Sequence, residues 1–253
     1  MIKVAVIQTN PIFGRIEKNL NNIKKLFLNS ADLVVLPELC TTGYQFKNMD
    51  EIEKYSEDFT NSFSVDFLTF LAQENNTIIV AGIAEKSNGK YYNSAVVISP
   101  NGLLKTYRKI NLFYRENIYF SSGKNEPLVV DLGAYKIGVM ICFDWIFPEV
   151  ARSLAKNGAD IITHPANLVL PFCQDAMLTR SIENRVFTAT ANRIGNEARD
   201  GIDDLKFTGK SQITSHKGER LTSASLDSEE VIIANIDPRK ARDKNINKFN
   251  KLL

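Results

Sequence analysis

Three side chains stand out by type and placement. Each follows an apolar strand: the carboxylate Glu38 after Leu33-Val34-Val35-Leu36-Pro37, the ammonium Lys109 after the run 103–107 and Arg108, and the thiol Cys142 after Ile137-Gly138-Val139-Met140-Ile141. Folds that alternate strands and helices gather their ligands beyond strand ends, so these three groups can converge on one cleft. A thiol becomes a nucleophile only as the thiolate and needs a base or cation beside it. A carboxylate shielded from water can take the thiol proton and later return it to leaving ammonia. A cation in a dry cleft can hold a tetrahedral oxyanion, where loss of one donor typically costs about a hundredfold to a thousandfold in rate.

Each residue also has a plain structural reading. A cysteine at a strand end is commonly a small buried hydrophobe, Glu38 could cap a helix, and a lysine at a strand end usually reaches for water. The surroundings shift the balance. Cys142 runs into Phe143-Asp144-Trp145 and then Phe147-Pro148-Glu149, which opens a helix, so the thiol sits on a sharp strand-to-helix turn from which a following backbone N–H can point at an oxyanion. Glu38 comes straight after buried apolar residues, where an unpartnered charge is costly. Lys109 lies between Tyr107-Arg108 and Leu112-Phe113, a half-apolar neighbourhood.

Competing chemistries have little support. The two histidines, His164 and His216, are far apart, which argues against a histidine zinc site and against a serine–histidine–acid triad. Cys40, Cys142 and Cys173 form no Cys-x-x-Cys pair and no disulfide framework. With 31 basic and 29 acidic residues the net charge is +2, so neither nucleic acid nor an anionic membrane is an expected partner. No stretch approaches the roughly 20 apolar residues of a membrane span. The N-terminal run 1–8 reads as a strand and not as a leader, which leads to the expectation of a cytoplasmic protein. The 253 residues, 44% hydrophobic and 24% charged, suit one globular domain spanning 1–253.

The elements that must position the three groups follow from periodicity. Strands are expected at 2–7, 33–36, 77–84, 160–164, 187–192, 210–214 and 231–236. Hairpins are expected from 95–98 with 103–107, around Ser99-Pro100-Asn101-Gly102, and from 128–132 with 136–141. Helices are expected at 17–29, where Leu20, Ile23, Phe27 and Leu28 share a face, and at 64–74, 148–157 and 175–185. The stretch 196–205 reads as a polar loop, and the basic tail 239–251 as a solvated helix with a frayed end. Alternating strands and helices with hairpins between them indicate an α/β sandwich with mixed sheets.

Longer motifs then carry a resemblance. Pro37-Glu38-Leu39 with Thr42-Gly43-Tyr44, Tyr107-Arg108-Lys109 with Leu112-Phe113, and Gly138–Asp144 with Phe147-Pro148-Glu149 resemble the three motifs of the nitrilase superfamily of carbon–nitrogen hydrolases. The order and spacing match, and the likeness continues through His164-Pro165-Ala166-Asn167, Arg180 with Glu183-Asn184-Arg185, Asn192-Arg193-Ile194-Gly195 and Phe207-x-Gly209-x-Ser211. The resemblance implies a four-layer α-β-β-α sandwich that forms a homodimer or larger homo-oligomer. It implies Glu38 as general base, Lys109 as stabiliser of the tetrahedral intermediate and Cys142 as nucleophile. It also implies Glu116 as a second glutamate positioning lysine and substrate, and the Phe143 N–H as oxyanion donor. No metal or cofactor is implied, and the substrate would be a small amide, carbamoyl compound or nitrile cleaved through a thioester.

Two departures bear on the substrate. Nitrile-cleaving members typically carry Cys-Trp-Glu at the nucleophile, whereas this chain has Cys142-Phe143-Asp144, which resembles amidases and carbamoyl-amide hydrolases. The family's usual tail is also not matched by Asn250-Lys251-Leu252-Leu253. The alternatives are a nitrilase, a catalytically silent binding or scaffold member, and an acyltransferase using the same thioester. Specificity is expected in the loops 44–58 and 165–175, with Tyr44, His164 and Asn167 as substrate-positioning candidates. Trp145 and Phe172 would be apolar walls. Glu149 would cap its helix or pair with Arg152, and Arg180 with Glu183 would form a helix-surface pair.

Overall fold

A computed structural model of the chain describes residues 1–27, 31–124 and 126–252. Among these residues two six-stranded mixed sheets pack face to face, and helices cover their outer faces. The first sheet contains β1 (Ile2–Gln8), β2 (Leu33–Val35), β3 (Ile78–Ser87), β4 (Lys90–Ser99) and β5 (Gly102–Arg108). The second contains β6 (Leu128–Asp131), β7 (Lys136–Val139), β8 (Ile161–Pro165) and β9 (Phe187–Ala191). A two-residue pair, β10 (Asn196–Glu197) and β11 (Leu205–Lys206), stands apart. The chain then adds β12 (Gln212–Thr214) and β13 (Arg220–Ser223) to the second sheet and closes the first with β14 (Glu230–Ile236). The orders are β14-β1-β2-β3-β4-β5 and β13-β12-β9-β8-β7-β6.

Strand alternation explains the layering. Val4, Val6, Leu33, Val35 and Val80 turn toward Ile137, Val139, Ile161 and Ala189 of the other sheet. Their alternates Ala5, Ile7, Val34, Ile79, Val96 and Ile98 turn outward. There they bury Leu20 and Ile23 of α1 (Ile16–Leu26) and Leu68, Leu71 and Ala72 of α3 (Phe63–Asn75). α5 (Pro148–Lys156) and α6 (Cys173–Asn184) cover the second sheet through Ala151, Leu154, Ala155 and Met177. This is the expected four-layer α-β-β-α sandwich. β1, β2 and β3 run parallel in the first sheet and β7, β8 and β9 in the second, and the parallel Thr9–Arg193 bridge just past β1 and β9 puts the carboxyl ends of both sets on the same side of the sandwich.

Several expectations need correction. Helix α1 stops at Leu26 with Phe27 extended, so the end read at 29 is too long; Leu28 and Asn29 lie outside the described residues. The loop 44–58 contains a helix, α2 (Met49–Tyr55), capped by the Asn48 side chain on the Glu51 N–H. The loop 196–205 carries the β10–β11 pair, and Arg199 in it binds Glu51 and stacks on Phe13 at 3.6 Å. The tail forms only a short 3₁₀ turn, Pro238–Ala241, because Arg242 is held by Asp160 at 3.0 Å and the chain then turns back on itself. Glu149 makes no ion pair among the described residues and sits in the first turn of α5, whereas Arg180 pairs with Glu183 at 3.0 Å as expected.

Candidate active site

Glu38 is placed by the end of β2. The Leu36 N–H donates to Val80 O and the Cys40 N–H to Gly82 O, while the Gly82 N–H donates to Pro37 O. The backbones approach so closely that a Cβ on Gly82 would lie 2.4 Å from Glu38 Cα; only glycine fits there. Lys109 follows β5, its N–H bonded to Asn93 O and its carbonyl accepting from the Gly123 N–H. Glu116 begins the single-turn helix α4 (Glu116–Tyr119).

These elements bring together a fully buried charge cluster. Lys109 Nζ lies 2.6 Å from Glu38 Oε1 and 2.8 Å from Glu116 Oε1, with Lys109 and Glu38 both at 0% exposure. Asn93 Nδ2 donates to Glu38 Oε1 at 2.7 Å and the Tyr44 hydroxyl donates to Glu116 Oε1 at 2.6 Å. The second oxygen of Glu38 has no partner among the described residues. Burial, opposed by the Lys109 charge, raises Glu38 to about 7. Burial works to lower Lys109, but the Glu116 and Glu38 carboxylates outweigh it and hold the ammonium protonated. One cation between two carboxylates leaves net negative charge in a dry site, so removing Lys109 would strand both carboxylates.

Cys142 opens a 3₁₀ turn, Cys142–Ile146, after β7, with a left-handed φ of 39°. Such a value in a non-glycine residue marks a backbone held by its surroundings. Asp144 does much of the holding: its carboxylate accepts from the Ile141 N–H at 2.9 Å, from Asn111 N at 3.1 Å and Nδ2 at 2.8 Å, and from the Tyr107 hydroxyl at 2.9 Å. Arg180 adds a bond to the Trp145 carbonyl at 3.1 Å. The thiol is 5% exposed, and burial, then the Glu38 charge, raises it well above its ordinary value against the pull of Lys109 and the Asn167 N–H. At rest it is therefore a thiol, and its proton must leave during the reaction.

His164, at the end of β8, lies behind the nucleophile. Nε2 is 2.9 Å from the Cys142 carbonyl oxygen, which can only accept, so Nε2 carries the hydrogen and Nδ1 accepts from the Thr190 hydroxyl at 3.2 Å. Burial lowers its pKa to about 4, so the ring is neutral near pH 7. Both nitrogens are engaged by protein, so His164 supports the Cys142 backbone. Asn167 follows β8 and lines a pocket beside Cys142, with Phe113, Phe143 and Trp145 as walls. Tyr44 reaches the cluster through Glu116, and Phe172 is 62% exposed and outside this lining.

Sequence reasoning missed Asn93, Tyr107 and a second buried pair. Arg193 binds Glu197, donates to Pro11 O at 3.0 Å and stacks on Phe207 at 4.0 Å. Glu197 in turn accepts from the Tyr44 N–H at 3.0 Å and the Gln45 N–H at 2.7 Å, fixing the loop that carries the Tyr44 hydroxyl. The signal for Asn93 was present: an asparagine inside an apolar strand is disfavoured unless its amide is used.

A buried Glu–Lys–Glu cluster facing a strained cysteine turn, at the strand ends of an α-β-β-α sandwich, defines a class of cysteine hydrolase. The chain belongs to the carbon-nitrogen hydrolase family, whose profile matches residues 3–245, and it acts on carbon–nitrogen bonds. A protein of Pyrococcus abyssi named nitrilase is 47% identical over all of this chain and 96% of its own length. The 2-oxoglutaramate amidase of Bacillus subtilis is 30% identical over 95% of this chain and 92% of its own. Among solved structures, a Saccharomyces cerevisiae protein of branch 10 of the nitrilase superfamily superposes with a TM-score of 0.84 at 28% identity, covering 95% of this chain and 92% of that one. Among the described residues no helix is long and apolar enough to cross a membrane.

Proposed function

We propose that the protein hydrolyses a small non-peptide amide or N-carbamoyl compound, with Cys142 as nucleophile, Glu38 as base and acid, and Lys109 with the Phe143 N–H as oxyanion donors. The observation that carries this reading is the buried Glu38–Lys109–Glu116 cluster whose charges act on the Cys142 thiol. Glu38 takes the thiol proton as sulfur bonds to the carbonyl carbon. The tetrahedral oxyanion is stabilised by Lys109, which Glu116 and Tyr44 keep in place. Glu38 then gives the proton to the amide nitrogen, the C–N bond breaks and ammonia leaves a thioester. Water adds to that thioester as Glu38 accepts its proton, and collapse returns the proton to the sulfur and releases the acid. The net reaction is amide plus water to acid plus ammonia, with water as the external reagent.

Relatives named 2-oxoglutaramate amidase, citrullinase and N-carbamoylputrescine amidase support an amide or carbamoyl substrate. Nitrile hydrolysis is the second reading, favoured by the Pyrococcus relative's name. The exposed apolar side chains Ile146, Phe147, Phe172 and Ile182 around α5 and α6 support self-association as a homodimer or larger homo-oligomer. Three free, buried cysteines suit a cytoplasmic setting.

Ammonia release by wild type and Cys142→Ala, measured on small amides, N-carbamoyl compounds and nitriles, tests the proposal. Cys142-dependent release from amides or carbamoyl compounds with little from nitriles is expected. Preferential nitrile turnover, or activity surviving in Cys142→Ala, would contradict it.

A further inference from the structure

We infer that Asn167 is a specificity-determining residue, and that its side-chain amide selects small uncharged substrates carrying a second primary carboxamide beside the one that is cleaved. The inference rests on the amide-hydrolase reading above and goes further by naming what the rest of the substrate must offer.

Asn167 is 3% exposed, yet neither its Oδ1 nor its Nδ2 has a partner among the described residues. It is the only buried amide side chain among them with both ends free; Asn93 and Asn184 each leave one oxygen unpaired while the nitrogen donates. Its neighbour in space, Asn192, is saturated, accepting from the Leu168 N–H at 2.8 Å and donating to Gly209 O at 2.6 Å. A buried amide without a partner is costly, so it stands out from the otherwise satisfied polar network of this region.

The free amide belongs to the pocket of the nucleophile. Asn167 and Cys142 line the same space, and the Asn167 backbone N–H is directed at the thiol. Aromatic and aliphatic side chains, Phe113, Phe143, Trp145 and Val169 among them, form the rest of the wall, and no charged residue is in the lining. The space is tight, a cavity of about 10 Å³, room for roughly one water-sized group beside the thiol. That is far below the roughly 300–1,000 Å³ of pockets that take drug-sized ligands, and it favours a small substrate.

Chemistry then separates the candidates. An asparagine amide presents a donor and an acceptor side by side, and another primary carboxamide presents their complement, giving two N–H···O bonds. A carboxylate would satisfy the donor but face the Oδ1 lone pairs, with no cation in the lining to compensate. An ammonium would satisfy only Oδ1 and find no carboxylate in the wall. An alkyl group would leave both atoms unpaired, the situation in which sites built for hydrogen bonding discriminate most strongly.

The test compares butanediamide, butanamide and 4-amino-4-oxobutanoate. Wild type should favour butanediamide over butanamide by about tenfold or more in kcat/KM, carried mainly by KM, which corresponds to about 1.4 kcal/mol. In Asn167→Leu and Asn167→Ala that ratio should collapse toward unity. In the Cys142→Ala protein, calorimetry should show butanediamide binding more tightly than either competitor, a readout that does not depend on turnover. Equal kcat/KM for the two uncharged amides, tighter binding of the carboxylate, or a preference that survives both Asn167 substitutions would overturn the inference. A purely structural Asn167 would lower the melting temperature and slow both amides alike with the ratio intact, which also overturns it. If wild type cleaves no amide, the hydrolase reading falls, and the binding preference of Cys142→Ala decides the Asn167 assignment on its own.

Discussion

At the scale of single residues the site depends on opposed protonation states. Burial keeps the Cys142 proton on sulfur, and the same burial brings Glu38 to about 7, where it can both accept and return a proton near neutrality. The sign for stability is adverse. The fold favours neutral Glu38, so its contribution is fully present below the ordinary value of 4.5 and is lost as pH rises through about 7. The carboxylate form that catalysis needs is thus the form the fold disfavours. The expected pH profile follows: kcat/KM should rise with pH through an apparent pKa near 7 as Glu38 ionises. Glu38→Gln should lose that limb and fall by roughly a hundredfold or more, the usual scale for a lost general base. A limb that persists in Glu38→Gln, or one centred near the ordinary carboxylate value, would show that another group takes the proton.

At the scale of elements, strand ends deliver the reacting groups and short turns hold them. The Cys142 turn depends on Asp144, whose two oxygens receive four donors from Ile141, Asn111 and Tyr107. Asparagine at 144 keeps one acceptor and aims N–H groups at donors that already point inward. Asp144→Asn should therefore cost about 2–4 kcal/mol of stability and reduce kcat, whereas Tyr107→Phe, which removes a single hydroxyl bond, should cost about 1 kcal/mol. Chemical denaturation with parallel kinetics checks both. An Asp144→Asn protein as stable and as active as wild type would remove Asp144 from this role. Element types and the placement of Glu38, Lys109 and Cys142 after apolar runs were legible in the sequence because periodicity and strand-end position are local. The clamps were not. Arg193–Glu197 acts on Tyr44, about 150 residues earlier in the chain, and Gln8 accepts from the Ser211 N–H across a sequence separation of 203. The need for glycine at 82 is also invisible locally, since it arises from the Glu38 backbone packed against it.

At the scale of the whole molecule, two mixed sheets give a rigid frame. β2 and β5 deliver Glu38 and Lys109 from one sheet, and β7 and β8 deliver Cys142, His164 and Asn167 from the other. The site therefore sits where the two layers meet, and neither sheet alone contains it. Composition and alternation pointed to this α/β sandwich, while the pairing of β14 with β1 and the turn-rich tail needed tertiary contacts to be seen. Arg242 shows why the tail misled: a basic residue that reads as a solvated helix face is spent on Asp160 and the Ala134 carbonyl. On this reading the frame assembles a covalent hydrolase at Cys142. Mass spectrometry of protein quenched during turnover of a cleavable amide tests it most directly. An added acyl group, without the amide nitrogen, is expected on Cys142 and should be absent from Cys142→Ala. An adduct on another residue, or ammonia release continuing in Cys142→Ala with no acylated protein, would contradict it.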